Sequence, residues 1–234
     1  MSTIKLESVK KRIEQAALTY HRPLDSIHLI GVSKGQPLPS ILEAFHAGLT
    51  EFAESYWQEA QDKIIALQEF PILWHFIGPI QSNKTQAIAL NFSWVHSVER
   101  EKIAALLSKY RPHDLPPLQI LIQVNLDHET SKAGVLPEAI TPLANYIDSL
   151  PHLQLRGLMT IPGVREDEES QYRSFLRLSD LMLSLNTHRK QPPLDTLSMG
   201  MSGDFVAAIR AGSTMLRIGE SIFGKRSIRE KSNK

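Results

Sequence analysis

The chain has 234 residues, 26 Lys and Arg against 25 Asp and Glu, a hydrophobic content of 42% and no cysteine. So even a charge balance leaves no global field to gather nucleic acid or an anionic membrane, and without cysteine there are no disulfides, zinc ribbons, iron–sulfur clusters or thiol catalysis. No apolar run is long enough to span a bilayer and residues 1–12 contain no signal-peptide core, so a cytoplasmic globular protein is expected.

A helical pattern over Ile4–Tyr20 opens the chain. Short apolar runs of β character then recur at Ile27–Ser33, Thr50–Glu54, Ile72–Ile77, Ser93–Ser97, Leu118–Asn125, Leu155–Ile161, Leu194–Ser198 and Ser213–Ile218. Helical periodicity fills the intervals, most clearly over Leu38–Ala47, Tyr56–Leu67, Glu101–Tyr110, Pro137–Leu150 and Ser170–Leu185. In the last of these, Tyr172, Phe175, Leu176, Leu178, Leu181, Met182 and Leu185 form a stripe that faces a core. Gly48 and Gly212 each follow a helical stretch and precede a strand, where glycine supplies a left-handed C-cap. Pro137 suits the first turn of a helix.

Eight alternations of strand and helix predict an α/β fold, a single (β/α)8 TIM barrel with an extra N-terminal helix, covering residues 1–234 as one domain. An open doubly wound sheet is the second choice. Lys225–Lys234 sets five basic residues against one acidic and reads as a solvated, frayed tail.

In a parallel barrel the chemistry gathers at the C-terminal ends of the strands. The residues there are Lys34, Glu54 with Ser55, Gly78, His96, Asn125, Met159 with Thr160, Ser198 to Gly200, and Arg217 to Gly219. Lys34 directly follows an apolar strand. Its amine, partly removed from water, would be a nucleophile toward aldehydes, although a strand-end lysine can also simply pair with a carboxylate. Ser198–Ser202 precedes a helix starting near Asp204, and Arg217-Ile218-Gly219 precedes another at Glu220. Helix-initiating turns of this kind on strands seven and eight commonly hold phosphate, though each alone could be a plain N-cap. An amine, an arginine and a phosphate cradle together suggest a ligand with an aldehyde and a phosphate, such as pyridoxal 5′-phosphate.

Other polar residues carry less. The nine histidines show no metal-binding spacing, and His75, between Trp74 and Phe76, reads as a buried or rim histidine. Glu166–Glu169 begins a helix, where acids suit the dipole. Lys132 reads as a solvated loop lysine, with a secondary aldehyde-capturing amine as the alternative. No phosphate-binding P-loop motif occurs.

The chain resembles the pyridoxal-phosphate-binding homeostasis proteins, whose barrel is similar to the N-terminal domain of alanine racemase. The resemblance runs from Ile27 to Gly224. It is carried by Gly31-Val32-Ser33-Lys34, Trp74 to Lys84, Gln123-Val124-Asn125 with Ser131-Lys132-Ala133-Gly134, Arg156 to Met159, Leu197 to Ser202 and Ala211 to Gly219. It implies that Lys34 carries the cofactor as a Schiff base. It also implies that Ser198, Gly200, Met201 and Ser202, with the backbone of Gly219 and Glu220, hold the phosphate, and that Arg217 faces the pyridine nitrogen. Ser55 stands where the family usually has asparagine, and Glu220 where a small or hydroxyl residue is common.

The resemblance further implies a cofactor carrier and regulator of intracellular vitamin B6 and amino-acid balance, with no established turnover; a monomer is expected, with pyridoxal phosphate and cofactor-dependent apo-enzymes as its partners. The alternatives are a weak cofactor-dependent amino-acid racemase and, prompted by Ser55, an interaction protein that has lost the ligand. Related racemases draw a second acid/base from a following β-domain. The chain ends ten residues after Gly224, which leaves no room for that domain and favours a binder over an enzyme.

Overall fold

A computed structural model describes residues 2–129 and 132–224. The basic tail Lys225–Lys234 and Ser131 of the matched loop lie outside the described residues.

The strands are β1 (His28–Val32), β2 (Glu51–Glu54), β3 (Leu73–Phe76), β4 (Trp94–Val98), β5 (Leu118–Val124), β6 (Leu153–Thr160), β7 (Thr196–Ser198) and β8 (Met215–Ile218). They pair in chain order into a closed parallel barrel. Closure is made by β8 on β1, with Leu29 opposite Leu216 and Ile30 opposite Arg217. The helices are α1 (Ser2–Thr19), α2 (Leu38–His46), α3 (Trp57–Ala66), α4 (Thr85–Asn91), α5 (Glu101–Tyr110), α6 (Ile140–Asp148), α7 (Glu168–His188), α8 (Phe205–Arg210) and α9 (Glu220–Phe223). Every expected strand is present within about two residues of its expected ends. α4 did not stand out in the sequence because its seven residues hold too few turns to show a period.

The pleat of each strand sends successive side chains to opposite faces. Phe52, Phe76, Val95, Ile120, Leu158 and Leu216 go outward into the layer shared with the helices. Ile30, Ala53, Trp94, Leu121, Met159 and Met215 go inward and fill the barrel. Because both faces are covered, the strands read as near-continuous apolar runs. α1 places Leu6, Val9, Ile13 and Ala16 at three- and four-residue spacing and packs on α2, α8 and α9. The α7 stripe behaves as expected: Phe175, Leu178 and Leu185 are buried, with Tyr172, Leu181 and Met182 packed against them.

The turn signals also hold. Gly48 has φ +85, and the N–H groups of Gly48 and Leu49 return to the carbonyls of Phe45 and Ala44, closing α2 with a left-handed cap. Asp167 caps α7 by accepting from Ser170 N at 2.8 Å, ahead of Glu168 and Glu169 in the first turn. Among the described residues, no helix is long and apolar enough to cross a membrane.

Candidate cofactor site at the C-terminal mouth

The C-terminal ends of β1 to β6 surround a cleft of about 360 Å³, whose lining includes Lys34, Ser55, Tyr56, Gly78, Glu99, Lys132 and Ile161. That volume is in the range of small-molecule sites. Lys34 stands just beyond β1, on a turn continued by Gly35 at φ +73.

The turn is braced from below. Lys63, on α3, is 5% exposed and donates to Ser33 O, Glu54 Oε1 and Glu59 Oε1, each at 2.7 Å. The Ser33 hydroxyl also donates to Glu54 Oε1, at 2.6 Å. Burial pushes the Glu54 carboxyl above its ordinary value, and Lys63 and Ser33 offset only part of that. Glu54 therefore works beneath the turn and not at the rim where its strand-end position suggested. Nothing in the sequence singled out Lys63. The available signal was its place four residues after Glu59, one turn along a helix.

Ser55 lines the cleft at 6% exposure. Its backbone explains Gly78: a Cβ there would lie 1.9 Å from Ser55 O, so only glycine lets β2 and β3 end this close together. The Ser97 hydroxyl donates to Gly78 O at 2.6 Å and ties in β4. Lys132 reaches the cleft and pairs with Glu129 at 2.8 Å. It is thus a lining residue, whereas a solvated position was expected. Asn125 is spent on its own loop, donating to Glu129 O and Lys132 O.

Below the mouth runs a buried polar chain. Arg217 is 3% exposed and donates through Nη1 to Ser198 Oγ at 2.6 Å and through Nη2 to Thr160 O at 3.0 Å. Ser198 Oγ lies 2.8 Å from His96 Nδ1, and His96 Nε2 lies 3.0 Å from His75 Nδ1. His96 corrects an expectation. It is not a rim group but a fully buried one inside the barrel, because β4 turns Trp94 and His96 inward together. His75 is likewise fully buried and stacks on Trp94, with ring centroids 5.8 Å apart and planes at 12°. Burial lowers the proton affinity of both imidazoles. It also brings Arg217 down to about 10, with Asp204 acting in the other direction.

The turns after β7 and β8 lie together, since Ser221 N donates to Ser202 Oγ at 3.2 Å. Gly200 has φ +97, and a side chain there would strike Ala208. Met201 and Glu220 are exposed. The Met201 N–H is donated to Asp204 Oδ1 at 2.6 Å, so it is already engaged. Glu220 heads α9, where its N–H has no intrahelical acceptor. A Cβ on Gly219 would come within 3.3 Å of Val32 O, which sets this turn against the strand end that leads into Lys34. Of the expected residues, Lys34 and Ser55 face the cleft, Ser198 and Arg217 lie beneath it, and Gly200, Met201, Ser202, Gly219 and Glu220 form the adjoining turns.

These residues fit a cofactor carrying an aldehyde, a ring acceptor and a phosphate. Arg217 is a buried cation with no carboxylate in salt-bridge contact among the described residues. Its two bonds use two of the five guanidinium donors, leaving N–H capacity for a ring nitrogen.

The family described as the alanine racemase N-terminal domain matches residues 4–227. The pyridoxal phosphate homeostasis proteins of Vibrio cholerae and Pseudomonas aeruginosa are each 49% identical, over 94% and 97% of both chains respectively. The chain belongs to the pyridoxal phosphate homeostasis proteins. Among solved structures, PipY of Synechococcus elongatus superposes on this family member with a TM-score of 0.86 without the cofactor and 0.85 with pyridoxal phosphate bound, at 31% and 30% identity. Both comparisons cover 96% of this chain and 100% of PipY. Alanine racemase from E. faecalis shares the barrel at 15% identity and a TM-score of 0.67, over 58% of its length. The homeostasis-protein barrel expected from the sequence is therefore shown.

Proposed function

We propose that this chain binds pyridoxal 5′-phosphate at its C-terminal mouth, captures it covalently on Lys34, and acts in intracellular cofactor homeostasis without catalytic turnover of its own. The observation that carries the reading is the buried, carboxylate-free guanidinium of Arg217 beneath the cleft that Lys34 lines. Bound there, the cofactor supplies an aldehyde that an amine can capture and a ring whose nitrogen accepts a hydrogen bond.

The chain's own residues do the rest. The Lys63–Glu54–Ser33 brace holds the Lys34 turn. Arg217 presents donors to the ring nitrogen, where a fixed cation disfavours protonation. Ser202 and the backbone of Gly219 and Glu220 take the phosphate, with Gly200 shaping the turn. The Glu220 side chain is exposed to solvent, so its backbone N–H is the group it would offer. Ser55, shorter than the family's usual asparagine, lines the cleft without reaching as far into it. Relatives named as homeostasis proteins, together with the cofactor-bound PipY, support the homeostasis role, and action as a monomer that hands cofactor to apo-enzymes is part of the same proposal.

Borohydride reduction of the protein mixed with pyridoxal phosphate, followed by peptide mapping, tests the reading. The expected result is one adduct on the Lys34 peptide, lost in Lys34→Ala. An adduct distributed over surface lysines would overturn it. Lys34-dependent interconversion of D- and L-alanine would overturn the non-catalytic part and establish the racemase alternative.

A further inference from the structure

The proposed function uses only the upper end of the buried chain, Arg217. The chain continues through Ser198, His96 and His75 and reaches Glu51 at the opposite, N-terminal mouth. There His75 Nε2 lies 3.1 Å from Glu51 Oε2. The contact is off the hydrogen-bond axis, and neither atom has a hydrogen-bond partner elsewhere among the described residues. Glu51 Oε1 meets His28 Nδ1 at 2.9 Å. Burial alone would raise the Glu51 carboxyl, but the two histidines together outweigh it and bring it to about 2, so the group is an anion.

The direction of the protons along this chain follows from its ends. A neutral imidazole donates from one nitrogen and accepts at the other. His75 and His96 meet nitrogen to nitrogen, so two arrangements are conceivable, running in opposite senses. A carboxylate only accepts, so Glu51 requires the His75 proton on Nε2. His75 Nδ1 is then an acceptor, and the His96 proton must sit on Nε2. His96 Nδ1 then accepts the Ser198 hydroxyl proton, and the Ser198 oxygen keeps its lone pairs for Arg217, which can only donate. The reverse arrangement sets a bare His75 nitrogen against a carboxylate at 3.1 Å. It also leaves the Ser198 oxygen accepting from two donors, with its own proton unplaced.

The neutrality of the two rings has a structural basis. His75 is faced by Glu51 on β2, His28 on β1, and Trp94 and His96 on β4. His96 is faced by His75 on β3, Ser198 on β7 and Arg217 on β8. Both rings have 0% exposure.

We propose that Glu51 is a positioning residue for the cofactor site: from the far mouth it imposes one proton direction on His75, His96 and Ser198 and so fixes the guanidinium of Arg217 against the cofactor ring. Only the last link, from Arg217 to the ring, rests on the cofactor-binding reading.

Histidine-labelled protein without cofactor gives the first test. Long-range 15N NMR should show both buried imidazoles neutral and protonated on Nε2 at neutral pH. An Nδ1-protonated or imidazolium state at either ring would overturn the proposal. Glu51→Leu and Glu51→Gln give the second test. The leucine removes the acceptor and should mix the tautomers, shift the absorbance of bound pyridoxal phosphate and weaken its Kd about tenfold. The glutamine keeps an oxygen for His75 and should restore most of each signal. Wild-type tautomers and wild-type cofactor spectra in both variants would overturn it. If Glu51→Leu does not fold, the wild-type tautomers and the glutamine variant still decide. A wild-type protein with the expected tautomers that takes up no cofactor would overturn the binding reading and the last link together, while supporting the Glu51-directed chain.

Discussion

At the N-terminal mouth, Arg156 meets Asp195 through contacts of 3.0 and 2.6 Å, donates to Gln119 at 2.9 Å and lies 5.2 Å over the Trp94 ring. At the C-terminal mouth, Arg217 rests on a hydroxyl and a carbonyl, with no carboxylate in contact among the described residues. Cavity size does not separate the two ends, at about 410 Å³ against 360 Å³. Charge satisfaction does. The arginine of the first mouth is satisfied by its neighbours, as in a surface built for stability. The second holds a buried cation with no carboxylate in contact, and a buried unpaired charge is costly enough to mark a site.

The strongest way to break that contrast lies beneath the cleft. Lys63→Met leaves Glu54, with 0% exposure, without its cation, and should cost about 3–5 kcal/mol in urea unfolding. A loss under about 1 kcal/mol would show that the brace under Lys34 is not charge-dependent.

Next is Arg217→Met, which should weaken pyridoxal phosphate binding by about 10- to 100-fold in a fluorescence titration. Because the arginine has no ionic partner to strand, the apo-protein should lose little stability and can gain some. A large thermal loss with unchanged binding would mean that Arg217 is structural after all.

A pH series of denaturant midpoints sharpens the comparison. The folded state holds His75 and His96 below the ordinary value of 6.5, so their contribution is complete above that pH and is lost as the pH falls beneath it. Glu51 is held at about 2 against an ordinary 4.5. Its contribution is therefore present above 4.5 and lost as the pH drops from there toward 2. Both losses have the same sign because the unfolded chain binds more protons. Glu51→Gln should flatten the lower part of the curve, and an unchanged profile would contradict the Glu51 contacts.

The smallest effect belongs to the paired mouth. Asp195→Ala should cost no more than about 1 kcal/mol, since the ion pair is partly exposed, and should leave cofactor affinity unchanged. A binding defect there would show that the two mouths are more tightly linked than a Glu51-directed chain requires.

Much of this was legible in one dimension. Gly48 marked a helix end because a left-handed turn leaves a local signature, and Lys34 marked a strand end because it breaks an apolar run. His96 misled, since strand position tells which end a residue is near but not whether its side chain faces the rim or the interior. Lys63 passed unnoticed because an i,i+4 pair with Glu59 looks like an ordinary helix-surface contact, and its buried partner Glu54 comes from a strand that meets it only in the fold. Lys132 looked solvated because loop composition says nothing about which cleft a loop crosses.

The sequence alone determined the alternation of strand and helix, the apolar faces that close the barrel, and the lysine and glycine-rich turns at one rim, because these depend on local periodicity and backbone freedom. Only the tertiary structure decided which polar groups satisfy each other. Glu51, His75, His96, Ser198 and Arg217 lie on five different strands. They become one chain only when the closed barrel brings their inward faces within hydrogen-bonding range, where burial makes each remaining unmet bond count.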